Sequence, residues 1–545
     1  MRVLFASAEA FPLVKTGGLG DVSGALPWAL SELGVDVQLI LPGYPQALSA
    51  AADKSVAGEF RSYDGSESFR LINARMPHNG LAVWLIDSPR LYERRGRLYQ
   101  DEAGRDWPDN AQRFAMLCRV AAGLACGELV SGWRADVVHA NDWHTGLLPM
   151  LLQAPRDERP ATVFTIHNLA YQGLFPRSVL PSIGVPDELF TPDGVEFYGK
   201  LSFMKAGIRF ADRITTVSPS YAREVMTPEY GCGLDGLLRW RMHDVTGILN
   251  GVDYRFWDPE RDRNLPANFT AGDISGKRLC KLALQRELGL DVDPATPLIV
   301  WLSRITDQKM ADVVCHALHM ILERDVQFAV LGEGDAILEA KFQEAQQHYP
   351  GRLAVRIGYD ESLAHRLQAG ADLLLHPSRF EPCGLTPLYA MRYGTLPIVR
   401  HVGGLLDTIV DATEWTIRGG SATGFTFREP SAAAMLNCLD RAVALYAQKV
   451  RWRKMQRRAM SREFGWADSA RRYRAIYRAL APDAAPADAD PAIMASLETV
   501  AAPKLAVDNT TARARLSVAN SNEPEASAVG ASFNARPRLA RQDHR

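Results

Sequence analysis

Lys15-Thr16-Gly17-Gly18-Leu19-Gly20-Asp21-Val22 follows an apolar run, Val3-Leu4-Phe5-Ala6, and precedes a helical pattern from Ser23 to Leu33. The order is strand, glycine-rich turn, helix. Glycines in such a turn let backbone N–H groups converge on a phosphate at the positive end of the helix dipole, and a lysine adds a point charge. By itself the stretch reads equally well as a tight bend that needs only positive φ. What surrounds it decides between the two.

Outward from it, short apolar runs alternate with helical patterns. Strands are expected at Val3–Ala6, Asp36–Leu41, Leu81–Ile86, Val137–Ala140, Thr162–Ile166 and Arg213–Val217, with helices at Asn110–Leu129 and Trp143–Leu152. Nearly continuous apolar strands alternating with helices imply a parallel sheet covered on both faces. The periodicity then fails around Trp257-Asp258-Pro259, Pro266 and Gly272, and a second alternating series begins. Its strands are Leu298–Leu302, Gln327–Leu331, Leu353–Ile357, Leu373–His376 and Pro397–Val399; its helices are Ala311–Glu323, Ala336–Gln347, Leu363–Ala369 and Leu385–Tyr393. The expectation is an α/β chain of two Rossmann-like domains facing across a cleft, 1–257 and 276–462, with a linker over 258–275. Helical runs close the pattern, the last as a crossover helix over 463–481 that packs back on the first domain. Residues 482–545 turn to Ala, Pro and Asp, then to Asn, Thr, Ser and Arg, and are expected to be a disordered, solvated tail.

Composition narrows the function. A chain of 545 residues with 47% hydrophobic content can fill two cores. A formal net charge of -1 gives no field for nucleic acid or an anionic membrane, and no apolar run reaches the ~20 residues of a membrane helix. The seven cysteines are scattered, with no Cys-x-x-Cys pair for a metal or redox site. The opening Met1-Arg2-Val3-Leu4-Phe5 meets a polar turn too soon for a secretory signal, so a cytoplasmic location is expected.

In doubly wound domains ligands sit outside the carboxyl ends of the strands. Polar residues follow the expected strands in both halves: Asn141-Asp142-Trp143-His144 and His167-Asn168-Leu169-Ala170-Tyr171-Gln172-Gly173 in the first, Ser303-Arg304 through Gln308-Lys309, Gly332-Glu333-Gly334-Asp335 and Pro377 through Thr386 in the second. Lys15, Arg304 and Lys309, with glycine amides from both halves, suit a diphosphate leaving group that needs no metal, and no obvious Asp-x-Asp stands on a strand-end loop. Trp143 and Tyr171 offer surface that stacks on sugar rings. The combination points to transfer of a group from a nucleoside diphosphate, with no cofactor.

These motifs, with Asn250-Gly251-Val252-Asp253 and Ser378-Arg379-Phe380-Glu381-Pro382-Cys383-Gly384-Leu385-Thr386, give the chain a plain resemblance to bacterial glycogen synthases and plant starch synthases, over about residues 1–480. The resemblance implies a retaining glucosyltransferase of the GT-B fold that moves glucose from ADP-glucose to the non-reducing end of an α-1,4-glucan, with no nucleic-acid or membrane partner. It implies His167, Arg304, Lys309 and Glu381 as catalytic residues. It implies Lys15, Gly17, Gly18, Asp21, Asp142, Trp143, Asn168, Asn250, Tyr359, Cys383, Gly384, Leu385 and Thr386 as substrate-binding, with Tyr359 near the adenine. Oligomeric state does not follow from it.

Three departures from related sequences stand out. Tyr389 takes the place of a second glutamate common in related retaining transferases, Met310 follows Gln308-Lys309 where a glycine is usual, and Val402 replaces a common threonine before Gly403-Gly404-Leu405. A polysaccharide phosphorylase, a nicotinamide-dependent oxidoreductase and a non-catalytic glucan-binding protein are the alternatives. The first lacks a supporting lysine motif, the second the Gly-x-Gly-x-x-Gly turn, and the third leaves the charged residues unexplained.

Overall fold

The computed structural model describes residues 1–484 apart from 63, 64, 66, 67, 156 and 157. The expected tail therefore lies, from 485 onward, outside the described residues; 482–484 form a single 3-10 turn.

The first half supplies β1 (Arg2–Ala6), β2 (Asp36–Pro42), β3 (Ala52–Arg61), β4 (Ser68–Arg75), β5 (Ala82–Asp87), β6 (Val137–Asn141), β7 (Ala161–Ile166), β8 (Leu174–Pro176), β9 (Glu196–Phe197), β10 (Lys200–Ser202), β11 (Arg213–Thr216) and β12 (Val245–Gly247). Nine of them form one sheet in the order β12-β11-β7-β6-β1-β2-β5-β4-β3. Seven pair in parallel, while β3 and β4 add an antiparallel edge. The interior strands are buried along nearly their whole length, as strands covered on both faces must be. β3 is exposed and polar, which is why apolar patterning passes over it. A separate antiparallel sheet, β8-β10-β9, lies between β7 and β11 in the chain.

The second half supplies β13 (Leu298–Leu302), β14 (Gln327–Gly332), β15 (Leu353–Ile357), β16 (Leu373–His376), β17 (Leu396–Arg400) and β18 (Phe425–Phe427), all parallel in the order β15-β14-β13-β16-β17-β18. In this doubly wound order the direction of winding reverses between β13 and β16; the first sheet reverses between β1 and β6. Both reversals open a crevice beyond the strand ends.

Two local expectations are corrected. The helix after β1 runs over Gly18–Glu32 rather than from Ser23, so only Lys15–Gly17 form the turn. Gly17 is fully extended (φ -167°, ψ -164°), and Gly20 lies inside the helix, where a Cβ would sit 3.0 Å from the Lys15 stem. The stretch Trp143–Leu152 is not one helix but a 3-10 turn, Trp143–Thr145, and a short helix, Leu148–Leu151. Gly146 between them touches the Phe203 carbonyl so closely that a Cβ would lie 1.9 Å from its oxygen.

Residues 254–274 carry no regular structure but are firmly packed. Trp257 lies flat between His365 and Tyr389, with ring centroids 3.8 and 4.1 Å away, and Asp262 accepts hydrogen bonds from the Tyr393 hydroxyl at 2.6 Å and His365 Nδ1 at 2.6 Å. The last helix, Trp466–Leu480, shares a core with Val3, Phe5, Val22, Leu26 and Leu30 of the first half. The Tyr477 hydroxyl meets His139 Nδ1 at 2.6 Å, and Val252 N–H bonds the Phe464 carbonyl at 2.7 Å.

That docking depends on Gly251, where a Cβ would lie 2.7 Å from the Trp466 ring and 2.8 Å from its Cα. Gly251→Ala should therefore destabilise the protein by about 2 kcal/mol, in the range of core overpacking. Urea unfolding checks it.

Candidate functional site

The turn after β1 is organised from within by a residue the sequence does not advertise. Glu9 is 2% exposed, and its carboxylate accepts the Thr16 N–H at 2.6 Å and the Gly17 N–H at 3.3 Å, together with the hydroxyls of Thr16 and Tyr99. Two amides that a phosphate cradle would offer are thus turned onto an internal anion. Lys15 is left as the turn's charged group. Its Nζ lies 2.8 Å from Asp21 Oδ1 and 3.5 Å from Glu361 Oε2, the latter carried by the second half. Burial alone would lower the lysine's pKa, but the two carboxylates outweigh it and hold it above its usual value. Burial pushes Asp21 up to about 6 against the pull of Lys15. Gly18 faces the second half directly, since a Cβ there would meet the Leu385 side chain at 3.3 Å.

Beyond β6, Asp142 takes a left-handed φ of 61°, rare for a residue with a side chain and a mark of functional strain. Its carboxyl is buried, faced by the backbone N–H groups of Asn168, His167 and Trp143, and burial pushes it up to about 8. Asp142 Oδ1 has no hydrogen-bond partner, and neither does the buried Asn250 Oδ1. Each is a buried oxygen with hydrogen-bonding capacity to spare for a hydroxyl-bearing ligand. His167, beyond β7, meets Asn141 Oδ1 at 3.0 Å, and burial takes it down to about 3, so it is a neutral imidazole. Trp143 stacks on His144 at 4.1 Å and is held by Gly173, where a Cβ would strike its ring.

The opposite wall follows β13 and β16. Glu381, 6% exposed, accepts hydrogen bonds on Oε2 from Ser378 Oγ at 2.8 Å, from His376 Nε2 at 2.9 Å and from Lys309 Nζ. Burial works to raise its pKa, yet Lys309 and His376 hold it well below its ordinary value. Lys309 is brought there by a 3-10 turn, Asp307–Lys309, whose Gln308 carbonyl accepts the Arg379 N–H at 2.8 Å. The turn ends at Met310 with φ 52° and ψ 35°, so the position does require the left-handed conformation that glycine adopts freely. Met310 is fully buried, and packing offsets a backbone cost of roughly 1–2 kcal/mol. Gly384 is also left-handed, at φ 85°, and opens the helix Leu385–Arg392. Cys383 is buried, and burial pushes its thiol up to about 12.

The walls touch. Arg304 Nη1 donates to the Tyr171 hydroxyl at 3.1 Å, Asn168 Nδ2 to Gln308 Oε1 at 3.5 Å, and Arg97 pairs with Glu333 at 3.1 Å. Tyr359, 63% exposed, bonds Glu361 and lies 5.9 Å from Lys15 Nζ. Residues from loops after β1, β6, β7, β13, β15 and β16 are therefore brought to one cleft. Thr386 offers its carbonyl to Gln368 and lies in the helix that Gly384 opens. Glu9 and Glu361 are the additions to the expected set; an isolated carboxylate in Ser7-Ala8-Glu9-Ala10 carries no spacing signal. Tyr389 is buried and stacked on Trp257.

The Lys309–Glu381 pair gives a signed pH prediction. With Glu381 held below its ordinary 4.5, its stabilisation is complete above that pH and is lost as pH falls further. Lys309→Met leaves a buried carboxylate short of its cation and should cost about 3 kcal/mol near pH 7. Burial then raises the Glu381 pKa, so the variant should regain more stability than the wild type from pH 7 to 5; chemical denaturation of both across that range reads the difference.

Known proteins resemble the chain in sequence and fold. Residues 2–240 match the starch synthase catalytic domain model, and residues 286–459 match glycosyl transferases group 1. A glycogen synthase of Paramagnetospirillum magneticum is 52% identical over 482 residues, covering 88% of this chain and 98% of that protein. One of Burkholderia thailandensis is 50% identical, covering 88% and 90%. The catalytic domain of starch synthase IV from Arabidopsis thaliana, solved bound to ADP and acarbose, is 34% identical with a TM-score of 0.81, covering 88% of this chain and 99% of that one. The chain belongs to the glycogen and starch synthase family and is a glycosyltransferase of the two-domain GT-B fold.

Proposed function

We propose that the enzyme transfers glucose from ADP-glucose to the non-reducing end of an α-1,4-glucan with retention of anomeric configuration. The likeness to a starch synthase domain holding ADP and acarbose carries this reading, because the shared fold gathers the loops suited to a diphosphate and a sugar chain at one cleft. Lys15, Arg304 and Lys309 supply positive charge along the cleft, and Arg304 is the exposed one of the three. As the bond from glucose C1 to the phosphate oxygen breaks, they stabilise the departing ADP. The acceptor hydroxyl approaches C1 on the same face and gives its proton to the leaving phosphate oxygen, so no separate base is required. Glu381, kept ionised beside Lys309, His376 and Ser378, fixes the loop that grips the glucose. Asp142, His167, Asn168 and Asn250 hold the sugar hydroxyls, Trp143 supports the acceptor side, and Tyr359 lies by the adenine. Contacts across the cleft keep water from the donor.

Among the described residues no helix is long and apolar enough to cross a membrane, and the seven cysteines are unpaired. These features accord with a reducing cytoplasm.

Purified protein given radiolabelled ADP-glucose or UDP-glucose and glycogen should incorporate label, chiefly from ADP-glucose. Arg304→Ala should lower kcat by about 100-fold or more, as loss of a charge-stabilising group does, without unfolding the protein. Absence of transfer from both donors in folded protein would overturn the assignment.

A further inference from the structure

The small sheet β8-β10-β9 has one open face. Register places Pro176, Lys200 and Phe197 side by side, with Leu174 on the same face two residues along. Pro176 and Lys200 are exposed, Ser202 beside Leu174 is buried, and Phe197 is half-buried, one edge of its ring packed on the core beside Gly233. The opposite face is packed: Leu201 is buried, and Phe175 lies 6.0 Å from Trp143 and 5.0 Å from Phe203 between ring centroids. Leu174 is 41% exposed and Tyr171, just upstream, 44%. Tyr171 is the residue that meets Arg304 at the mouth of the cleft. Leu174 and Tyr171 thus lead from the exposed part of this face to the site.

At its far edge the turn Tyr198-Gly199 joins β9 to β10, with φ 48° at Tyr198 and 77° at Gly199. A two-residue hairpin with both residues left-handed favours Asn-Gly or Asp-Gly. A bulky side chain there is a costly choice for the fold, yet Tyr198 occupies it and is 82% exposed. Its ring meets Phe197 edge-on at 4.7 Å, which keeps it upright beside the sheet. A residue that breaks the local rule while burying little is better explained by what it presents to a ligand.

We propose that Tyr198, with Phe197, Leu174 and Tyr171, forms a ledge that supports the acceptor glucan several sugars away from the reacting end. The inference rests on the glucan-transferase reading. A neutral polyhydroxylated chain has apolar ring faces that stack on aromatic surface, and this face carries only one charge, Lys200. Across the sheet the ledge spans roughly 10 Å, two strand spacings, so it addresses a chain rather than a single sugar.

Tyr198→Asn is the discriminating variant, since Asn-Gly suits the turn and folding should be unimpaired. Loss of one stacking contact should weaken glycogen binding about five-fold, read as retardation in native gels containing glycogen, and should raise the glycogen KM relative to the maltotriose KM by a similar factor. Leu174→Gln should act in the same direction. Transfer to glycogen with unchanged retardation and an unchanged KM ratio in Tyr198→Asn would overturn the ledge while leaving the transferase reading intact. Glycogen retarding the wild type but not the variant, with no transfer from either donor, would sustain the ledge and remove the donor assignment.

Discussion

The ammonium of Lys15 lies between two carboxylates, Asp21 of its own half at 2.8 Å and Glu361 of the other at 3.5 Å. A buried charge needs such partners, because leaving water costs several kcal/mol per ion. The consequence is mechanical as well as electrostatic: the turn after β1 cannot take its place without the loop that follows β15. Glu9 completes the arrangement by holding the Thr16 and Gly17 amides from behind and tying them to Tyr99. The cleft is built by mutual neutralisation, and a diphosphate entering it competes with Glu361 for the lysine.

The same logic repeats on the other wall, where Lys309, His376 and Ser378 gather on one oxygen of Glu381. Both charge centres stand at the reversals of winding, after β1 and β6 in one sheet and after β13 and β16 in the other. Those are the positions at which a doubly wound sheet leaves an open crevice. Topology fixes where the charges lie, and their pairing fixes which remain available. Arg304 is the least committed of the cleft cations, being exposed and bonded to a tyrosine hydroxyl.

Much of this was legible in the residues. The parallel strands announce themselves because burial on both faces demands unbroken apolar runs, and Leu298–Leu302, Leu353–Ile357 and Leu373–His376 agree with the structure to the residue. The exposed edge strand β3, the half-buried β4 beside it and the small sheet escape such a search because one face or both is wet. The glycine stretch was harder: five of its residues, Gly18 to Val22, belong to the helix, and close approach to the Lys15 stem rather than positive φ is what needs Gly20. Met310 shows the reverse case. Its left-handed conformation agrees with the glycine usual at that place, and its burial explains how a side chain is tolerated. Glu9 and Glu361 gave no signal because their importance comes from folding, not spacing.

The claim that Lys15 is shared between Glu361 and the donor diphosphate is tested most directly by calorimetric titration of ADP into Lys15→Gln and Glu361→Gln proteins. Loss of a charge-assisted contact should weaken ADP binding in the first by about 10-fold or more. Removal of the competing carboxylate should tighten it severalfold in the second. Unchanged affinity in Lys15→Gln, or weakened affinity in Glu361→Gln, would contradict the account.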